Sequence, residues 1–448
     1  MFAVRLTAEW AAWAAALAAP LHRRLAWRLA AVVAGILLAQ GRRTASSWWR
    51  AAGIGPCFRS YYYFLDSVGR KTSEVAAVVF GLLRGPLDVP GGRLLLALDD
   101  TPTKRYGPEV QGAGVHHNPT PGPAGSKFLY GHSWVVLSRI AHHDHHGTIG
   151  LPLLGRLYIR DKDLPKLPEA IDWEFRTKPK LAAEMITWAG SLVTGPGSKP
   201  WVVVDGGYAN REFIKPAKRA GFVVVARLRC DAELYDLPPV LKPGQKRGRG
   251  RPPIYGKNRL SLAKRAGQTR GWQEIEVRTT TGRVVTKTVK SFLATWEPAG
   301  GVVRVVLIKE EDGSWRAYLC TDPGASVEEI VQATLDRWAI EQDFHDLKEV
   351  EGIEQVQLRR VWSNVGAMNL NLWVHSMVEL WGWNRSAADL SDRSASPWDD
   401  AARRPSHADR RKALQREMLE EEFQRSWGRW PLPPKIRHLL DRVLRLVA

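Results

Sequence analysis

Two short, strongly apolar runs that each stop on an aspartate constrain this chain more than any other feature. Leu94 to Leu98 runs into Asp99-Asp100, and Trp201 to Val204 runs into Asp205. Runs this short, rich in Val and Leu and bounded by turn residues, read as strands buried on both faces. Trp134 to Ile140 and Leu157 to Ile159 read as two more strands, Lys180 to Val193 and Arg211 to Ala220 as helices, and Val223 to Leu228 as a last strand. From Gly91 the predicted order is therefore three strands, helix, strand, helix, strand. That order calls for a mixed α/β fold in which helices cover a sheet.

It is also the order of an RNase H-like core, whose first three strands form an antiparallel meander and whose last two enter in parallel through helices. The flanks read differently. Residues 1–85 are Ala- and Leu-rich and helical in pattern. Their apolar runs, Trp10 to Ala19 and Leu29 to Ala39, fall short of the ~20 residues a membrane span needs. Pro20, His22, Arg23, Arg24 and Arg28 separate them, so a buried bundle is expected rather than an anchor or signal. Within it, Gly41-Arg42-Arg43-Thr44 before a Ser-rich helix start resembles a helix-turn-helix, which would offer Arg42, Arg43 and Arg50 to DNA. A plain bundle with a solvated arginine corner fits the same residues.

Residues 230–322 read as a β-rich domain inserted into the core. It opens with a basic Gly/Pro-rich loop at 242–258, in which Arg249-Gly250-Arg251-Pro252 matches the short basic core that lies in A·T-rich minor grooves; a flexible basic loop is the alternative. Ser326-Val327-Glu328-Glu329 is a capping box opening a long helix to about Glu351. The expected division is thus a helical region at 1–85, core at 86–229, β insert at 230–322, core helix at 323–358 and helical region at 359–448.

Charge names a partner. Lys and Arg number 65 against 46 Asp and Glu, a net +19, which predicts attraction to a polyanion, foremost nucleic acid. Cys57, Cys230 and Cys320 are isolated thiols, excluding a disulfide scaffold or cysteine zinc knuckle and suiting a cytoplasmic, nucleoid-associated protein. His142-His143-Asp144-His145-His146 reads as a solvated loop rather than a metal site.

Asp99 and Asp205 end strands where open α/β sheets place reacting groups. Gathered carboxylates repel unless a cation compensates, and oxygen donors without nearby thiolates favour Mg²⁺ or Mn²⁺. An aspartate after a strand can instead begin a turn or cap a helix. A third carboxylate strengthens the metal reading. In Arg337-Trp338-Ala339-Ile340-Glu341-Gln342-Asp343-Phe344-His345-Asp346-Leu347-Lys348, helical spacing puts Arg337, Glu341, His345 and Lys348 on one face beside an apolar stripe of Ile340, Phe344 and Leu347. A surface row of ion pairs is the alternative.

These residues resemble a known family. Arg337-x3-Glu341-x6-Lys348 is similar to part of the Y-x2-R-x3-E-x6-K signature of bacterial insertion-sequence transposases with a DDE triad. Asp99-Asp100-Thr101 is similar to the family's D-x-T motif, and Asp205-Gly206-Gly207-Tyr208 to its D-x-x-Y/F motif. Gly131-His132-Ser133-Trp134, Leu151-Pro152-Leu153 and Leu157-Tyr158-Ile159-Arg160 also look like members. The signature tyrosine falls on Thr334, which leaves the metal site untouched, and the D-x-T match favours Asp99 over Asp100 as first ligand. The resemblance implies an α/β, RNase H-like catalytic core with an inserted β-strand domain, flanked by helical N- and C-terminal regions. It implies two Mg²⁺ (or Mn²⁺) ions on Asp99, Asp205 and Glu341, with Arg337 and Lys348 on DNA phosphates. It also implies a tryptophan of the insert, Trp315 or else Trp296, stacking a flipped base. The implied partner is double-stranded DNA, both transposon terminal inverted repeats and target, engaged by a homodimer with no membrane involved. The implied activity is metal-dependent cleavage and strand transfer. A degenerate copy that binds DNA without cutting it, or a nuclease without strand transfer, are the alternatives.

Overall fold

A computed structural model describes residues 5–88, 92–118, 125–193, 198–239, 252–393, 398–400, 402–428 and 431–447. Six helices come first: α1 (Ala8–Ala18), α2 (Arg23–Ala26), α3 (Arg28–Leu38), α4 (Ala45–Ala51), α5 (Arg59–Gly69) and α6 (Thr72–Leu83). Both apolar runs lie in this bundle, and Trp10, Leu29, Ile36 and Leu37 are fully buried in it. Among the described residues no helix is long and apolar enough to cross a membrane.

The sheet begins with β1 (Leu95–Lys104), β2 (Gly114–His117), β3 (Phe128–His143) and β4 (Gly147–Tyr158), all paired antiparallel around β3. Helix α7 (Lys178–Leu192) leads to β5 (Trp201–Val204), and α8 (Arg211–Arg219) leads to β6 (Val223–Leu228). Both strands enter parallel, β5 against β1 and β6 against β5. β1 outruns the expected stop at Leu98, because β3 is long enough to pair Asp99 through Lys104 with Val136 back to Gly131. What ends at Leu98 is the parallel pairing with β5, whose last partners are Leu98 and Val204.

The segment after β6 supplies β7 (Leu234–Tyr235), β8 (Arg259–Leu260), a short helix α9 (Leu262–Gly267), β9 (Gln273–Arg278), β10 (Val284–Trp296), β11 (Gly301–Lys309) and β12 (Trp315–Cys320). These strands continue the core sheet. β12 returns antiparallel onto β6, pairing Ala317 to Cys320 with Leu228 to Val225, and the order runs β2-β3-β1-β5-β6-β12-β11-β10-β7-β8.

The single helix expected from Ser326 to Glu351 is two, α10 (Val327–Asp336) and α11 (Trp338–Glu349). Its capping box forms as expected. At Arg337 the backbone keeps helical dihedrals but tightens, the Ile340 N–H bonding Arg337 O three residues back at 3.0 Å, and this marks off α10 from α11. Then come α12 (Val361–Gly382), α13 (Ala387–Leu390), α14 (His407–Trp427) and α15 (Pro434–Val447). α12 is buried almost throughout, yet carries polar groups because it must satisfy a bulge in β4. Trp373 Nε1 donates to Leu153 O at 2.8 Å, Ser376 Oγ to Pro152 O at 2.6 Å, and the Asn369 amide holds both backbone groups of Gly155.

Candidate active site

Sheet register places the first two carboxylates. Leu98 of β1, Val204 of β5 and Ala226 of β6 stand side by side, so the residues that follow are Asp99, Asp205 and Arg227. Successive strand residues face opposite ways, and Asp99 and Asp100 part accordingly. Asp100 accepts from Lys178 Nζ at 2.5 Å and from the Tyr208 hydroxyl at 3.2 Å. Asp99 Oδ2 instead accepts from Arg337 Nη1 at 2.6 Å.

Helix α11 supplies the third carboxylate. Arg337 Nη2 donates to Glu341 Oε1 at 2.7 Å, so one guanidinium links the helix carboxylate to the strand carboxylate. The packing that permits this is the expected stripe, Ile340, Phe344 and Leu347 being buried. Asp99, Asp205, Arg337, Glu341, His345 and Lys348 all line one cleft of about 690 Å³. Thr334 lines it too, its hydroxyl turned back onto Val331 O at 2.7 Å.

The electrostatics are those of crowded carboxylates. Burial pushes the Asp99 carboxyl up to about 7; Arg337 opposes the rise, while Asp100 and Asp205 add to it. Burial lowers Arg337, but Asp99, Glu341 and Asp205 outweigh it and hold the guanidinium above its ordinary value. Burial, reinforced by Asp100 and Asp99, raises the Tyr208 hydroxyl. Burial lowers the Lys348 ammonium. Negative charge is thus concentrated where Arg337 stands as the compensating cation. Asp99, Asp205 and Glu341 bring hard carboxylate oxygens to one cleft, the donor type that Mg²⁺ or Mn²⁺ takes, with their ligand atoms not all within 4.8 Å of one another and with Asp100 and Glu349 lining the same cleft.

Other expected residues lie elsewhere. Trp296 is buried at 6% exposure. Trp315 packs half-buried on the core, on the sheet face opposite Arg316 and Tyr318, which do line the cleft. The helix-turn-helix reading meets a packed second helix: Trp48 and Trp49 of α4 are buried, and the Thr44 cap accepts from Ser47 N at 3.2 Å. Arg42 is exposed, whereas half-buried Arg43 gives its N–H to Gln355 Oε1 at 2.6 Å. Arg249 and Arg251 lie outside the described residues. The histidine run is the β3–β4 turn, with His142, Asp144 and His145 exposed as expected, but it is tied down by its histidines. His142 Nε2 meets Asp336 Oδ2 at 2.9 Å, His143 Nε2 meets Trp383 O at 2.9 Å, and His146 is buried and stacked on His143. The hairpin needs those contacts to dock against α10 and the end of α12.

Several cleft residues are not marked as site residues by the sequence, among them Trp338, Arg227 and Arg316, with Asn118, Tyr318 and Glu349. Trp338, 49% exposed, stands at the start of α11 beside Arg337. Arg227 and Arg316 line the wall formed by β6 and β12. A charged residue alternating with apolar ones, as in Val225-Ala226-Arg227-Leu228, was the available signal.

Solved structures superpose loosely. A piggyBac transposase synaptic complex with hairpin DNA aligns at TM-score 0.31 and 11% identity, over 92% of this chain and 73% of that one. The NurA nuclease from Sulfolobus solfataricus aligns at TM-score 0.22 and 10% identity, over 63% of this chain and 86% of that one. No curated protein matches in sequence. The family model described as DDE superfamily endonuclease matches residues 16–291, more than half the chain and a stretch that holds both Asp99 and Asp205, so the protein belongs to the DDE superfamily endonucleases.

Proposed function

We propose that the protein is a DNA transposase that cleaves transposon ends and joins them to target DNA with Asp99, Asp205 and Glu341. The observation that carries this reading is the convergence of all three carboxylates, from two strands and a helix distant in sequence, on one cleft with Arg337 between them. The strand order β4-β3-β1-β5-β6, antiparallel then parallel, supports reading the core as RNase H-like.

Asp99, Asp205 and Glu341 would hold two divalent ions. When bound, such ions supply an activated water or DNA 3′-hydroxyl and stabilise the leaving oxygen. Lys348, as a point charge, would hold a scissile-strand phosphate, and Arg337 would turn its fork to one on releasing Asp99 and Glu341 to the ions. Arg227 and Arg316 would extend that phosphate track along the β6–β12 wall. Trp338 would stack a base turned out of the helix, taking the role first assigned to Trp315. Asp100 also lines the cleft, but its carboxylate is engaged by Lys178 and Tyr208. The +19 balance fits a long DNA footprint.

The test is incubation of the full chain and Mg²⁺ with a duplex carrying the inverted repeats that flank its coding region, plus a target plasmid. Integrated products are expected. Cleavage without joining would reduce the protein to a nuclease, and binding without cleavage to a DNA-binding relic.

A further inference from the structure

A second cluster of donors lies away from the cleft, among α11, α12 and α14. His375, Glu379 and His407 each offer a ligand atom within 4.8 Å of the other two. His375 and Glu379 stand four apart on α12 and share a face, and His407 opens α14. All three are buried, at 2, 3 and 3% exposure.

Each imidazole has a carboxylate at Nε2. Glu351 Oε1 lies 3.0 Å from His407 Nε2, and Asp343 Oδ1 lies 3.6 Å from His375 Nε2; Asp343 itself accepts from Ser138 Oγ at 3.1 Å. A carboxylate on one ring nitrogen fixes the tautomer that leaves the other free as a metal donor. His407 Nδ1 lies 2.7 Å from Glu379 Oε1. His375 Nδ1 is buried without a hydrogen bond, an arrangement native interiors avoid unless something occupies the position. Glu379 Oε2 also lacks one, facing Arg410 Nε at 3.4 Å. A pocket of about 240 Å³ opens onto all three residues, roomy enough for water.

We propose that His375, Glu379 and His407 bind one divalent ion of the zinc type, through two imidazole nitrogens and a carboxylate, with water from the pocket as a further ligand. Two imidazoles and one carboxylate are a borderline donor set that zinc prefers and magnesium does not. The competitor is the proton between His407 and Glu379, which binding would release to solvent while Arg410 withdraws from Glu379. Tetrahedral bonds of about 2.0–2.1 Å need donors about 3.3 Å apart, so the His407–Glu379 pair, at 2.7 Å, must open slightly while the wider separations within the group close. The ion would fasten α12 to α14 and, through Asp343, to the helix that carries Glu341.

The experiment is a Zn²⁺ titration of the full chain, stripped of metal by a chelator, against a chromophoric competitor, with a Co²⁺ spectrum in parallel. The wild type should take up about one ion per chain with the visible bands of a tetrahedral site. An Asp99→Asn/Glu341→Gln variant should do the same, which separates this site from the active-site cleft. His375→Asn and Glu379→Gln should each bind at least about tenfold more weakly and lose the bands. His375→Asn leaves the His407–Glu351 bond in place, so it decides the matter if Glu379→Gln fails to fold. Wild-type protein that takes up no zinc, or a His375→Asn variant that binds as tightly, overturns the proposal and leaves the cluster an ion network held by protons.

Discussion

Arg337 Nη1 lies 2.6 Å from Asp99 Oδ2, a bond between residues 238 apart in sequence. Its second terminal nitrogen is given to Glu341. A planar fork can serve two acceptors at fixed separation; an ammonium holds the charge but not the geometry. The guanidinium therefore measures the gap between strand and helix as well as neutralising it.

Arg337→Lys should keep the fold and most DNA affinity yet cleave about 10- to 100-fold more slowly, the cost of one misdirected charge-assisted hydrogen bond of about 1.5–3 kcal/mol. Single-turnover cleavage of end DNA checks this. A wild-type rate would show that charge alone matters at this position.

Trp338→Ala should impair steps that need an extruded base more than first-strand nicking, by about 1–3 kcal/mol for one lost stack. Trp338→Phe should recover much of the loss, and Trp315→Ala should affect stability before activity. Substrates with the relevant base already unpaired provide the assay. Equal defects on paired and unpaired substrates would remove stacking as the explanation.

The sequence carried the carboxylates but not their surroundings. Short Val/Leu runs and the 337–341–348 spacing are local patterns, and both strands and cleft face follow from them. The tightening at Arg337 has no local mark because helix propensity runs through it unchanged, while its side chain is bound to Asp99 far away in sequence. That β12 closes onto β6 is likewise a long-range pairing with no local mark. Trp315 sits on strand β12, on the face opposite Arg316 and Tyr318, and Trp338 at the start of α11; which of those faces meets the cleft depends on the β12–β6 pairing and on how α11 packs, both long-range. That this exposed turn is anchored has no local mark either: Asp336 and Trp383, which hold His142 and His143, come some 200 residues later.

Gly366→Ala should destabilise by about 1–3 kcal/mol or more, as overpacking does. A Cβ there would fall 2.0 Å from Leu65 O, where α12 crosses α5 at closest approach. Gly81→Ala on α6 is the control, because nothing lies within 4 Å and helix propensity should favour it by about 0.5–1 kcal/mol. Urea unfolding of both variants gives the comparison. A neutral Gly366→Ala would mean the helices separate easily.

Acid should weaken the fold through His132. Burial, and then the adjacent Arg105, lowers its pKa to about 3 from an ordinary 6.5. The ring accepts from Arg105 Nε at 3.2 Å and meets Gln111 O at 3.0 Å, so the folded state holds it neutral. The unfolded chain takes up a proton below 6.5 that the folded chain refuses until about 3. Stability is thus full above 6.5 and falls with pH across that window, by up to about 1.4 kcal/mol per pH unit for this one group. His132→Gln should flatten that slope while lowering stability at neutral pH. An unchanged slope between pH 6 and 4 would assign acid sensitivity to other groups.

The three carboxylates should fail together. Asp99→Asn, Asp205→Asn and Glu341→Gln each keep shape and remove charge, so each should abolish Mg²⁺-dependent cleavage while leaving end-DNA binding largely intact. Groups that act as a unit are not additive, so a double variant should be little worse than a single one. Asp100→Asn separates the two adjacent carboxylates of β1, both of which line the cleft. It disturbs the contacts to Lys178 and Tyr208, not the one to Arg337, and should slow cleavage far less than Asp99→Asn. Cleavage rates with parallel binding curves decide it. If Asp100→Asn were the dead variant and Asp99→Asn the active one, the metal-holding face of β1 would be the one toward Lys178, and the Arg337 bridge would be a structural tie.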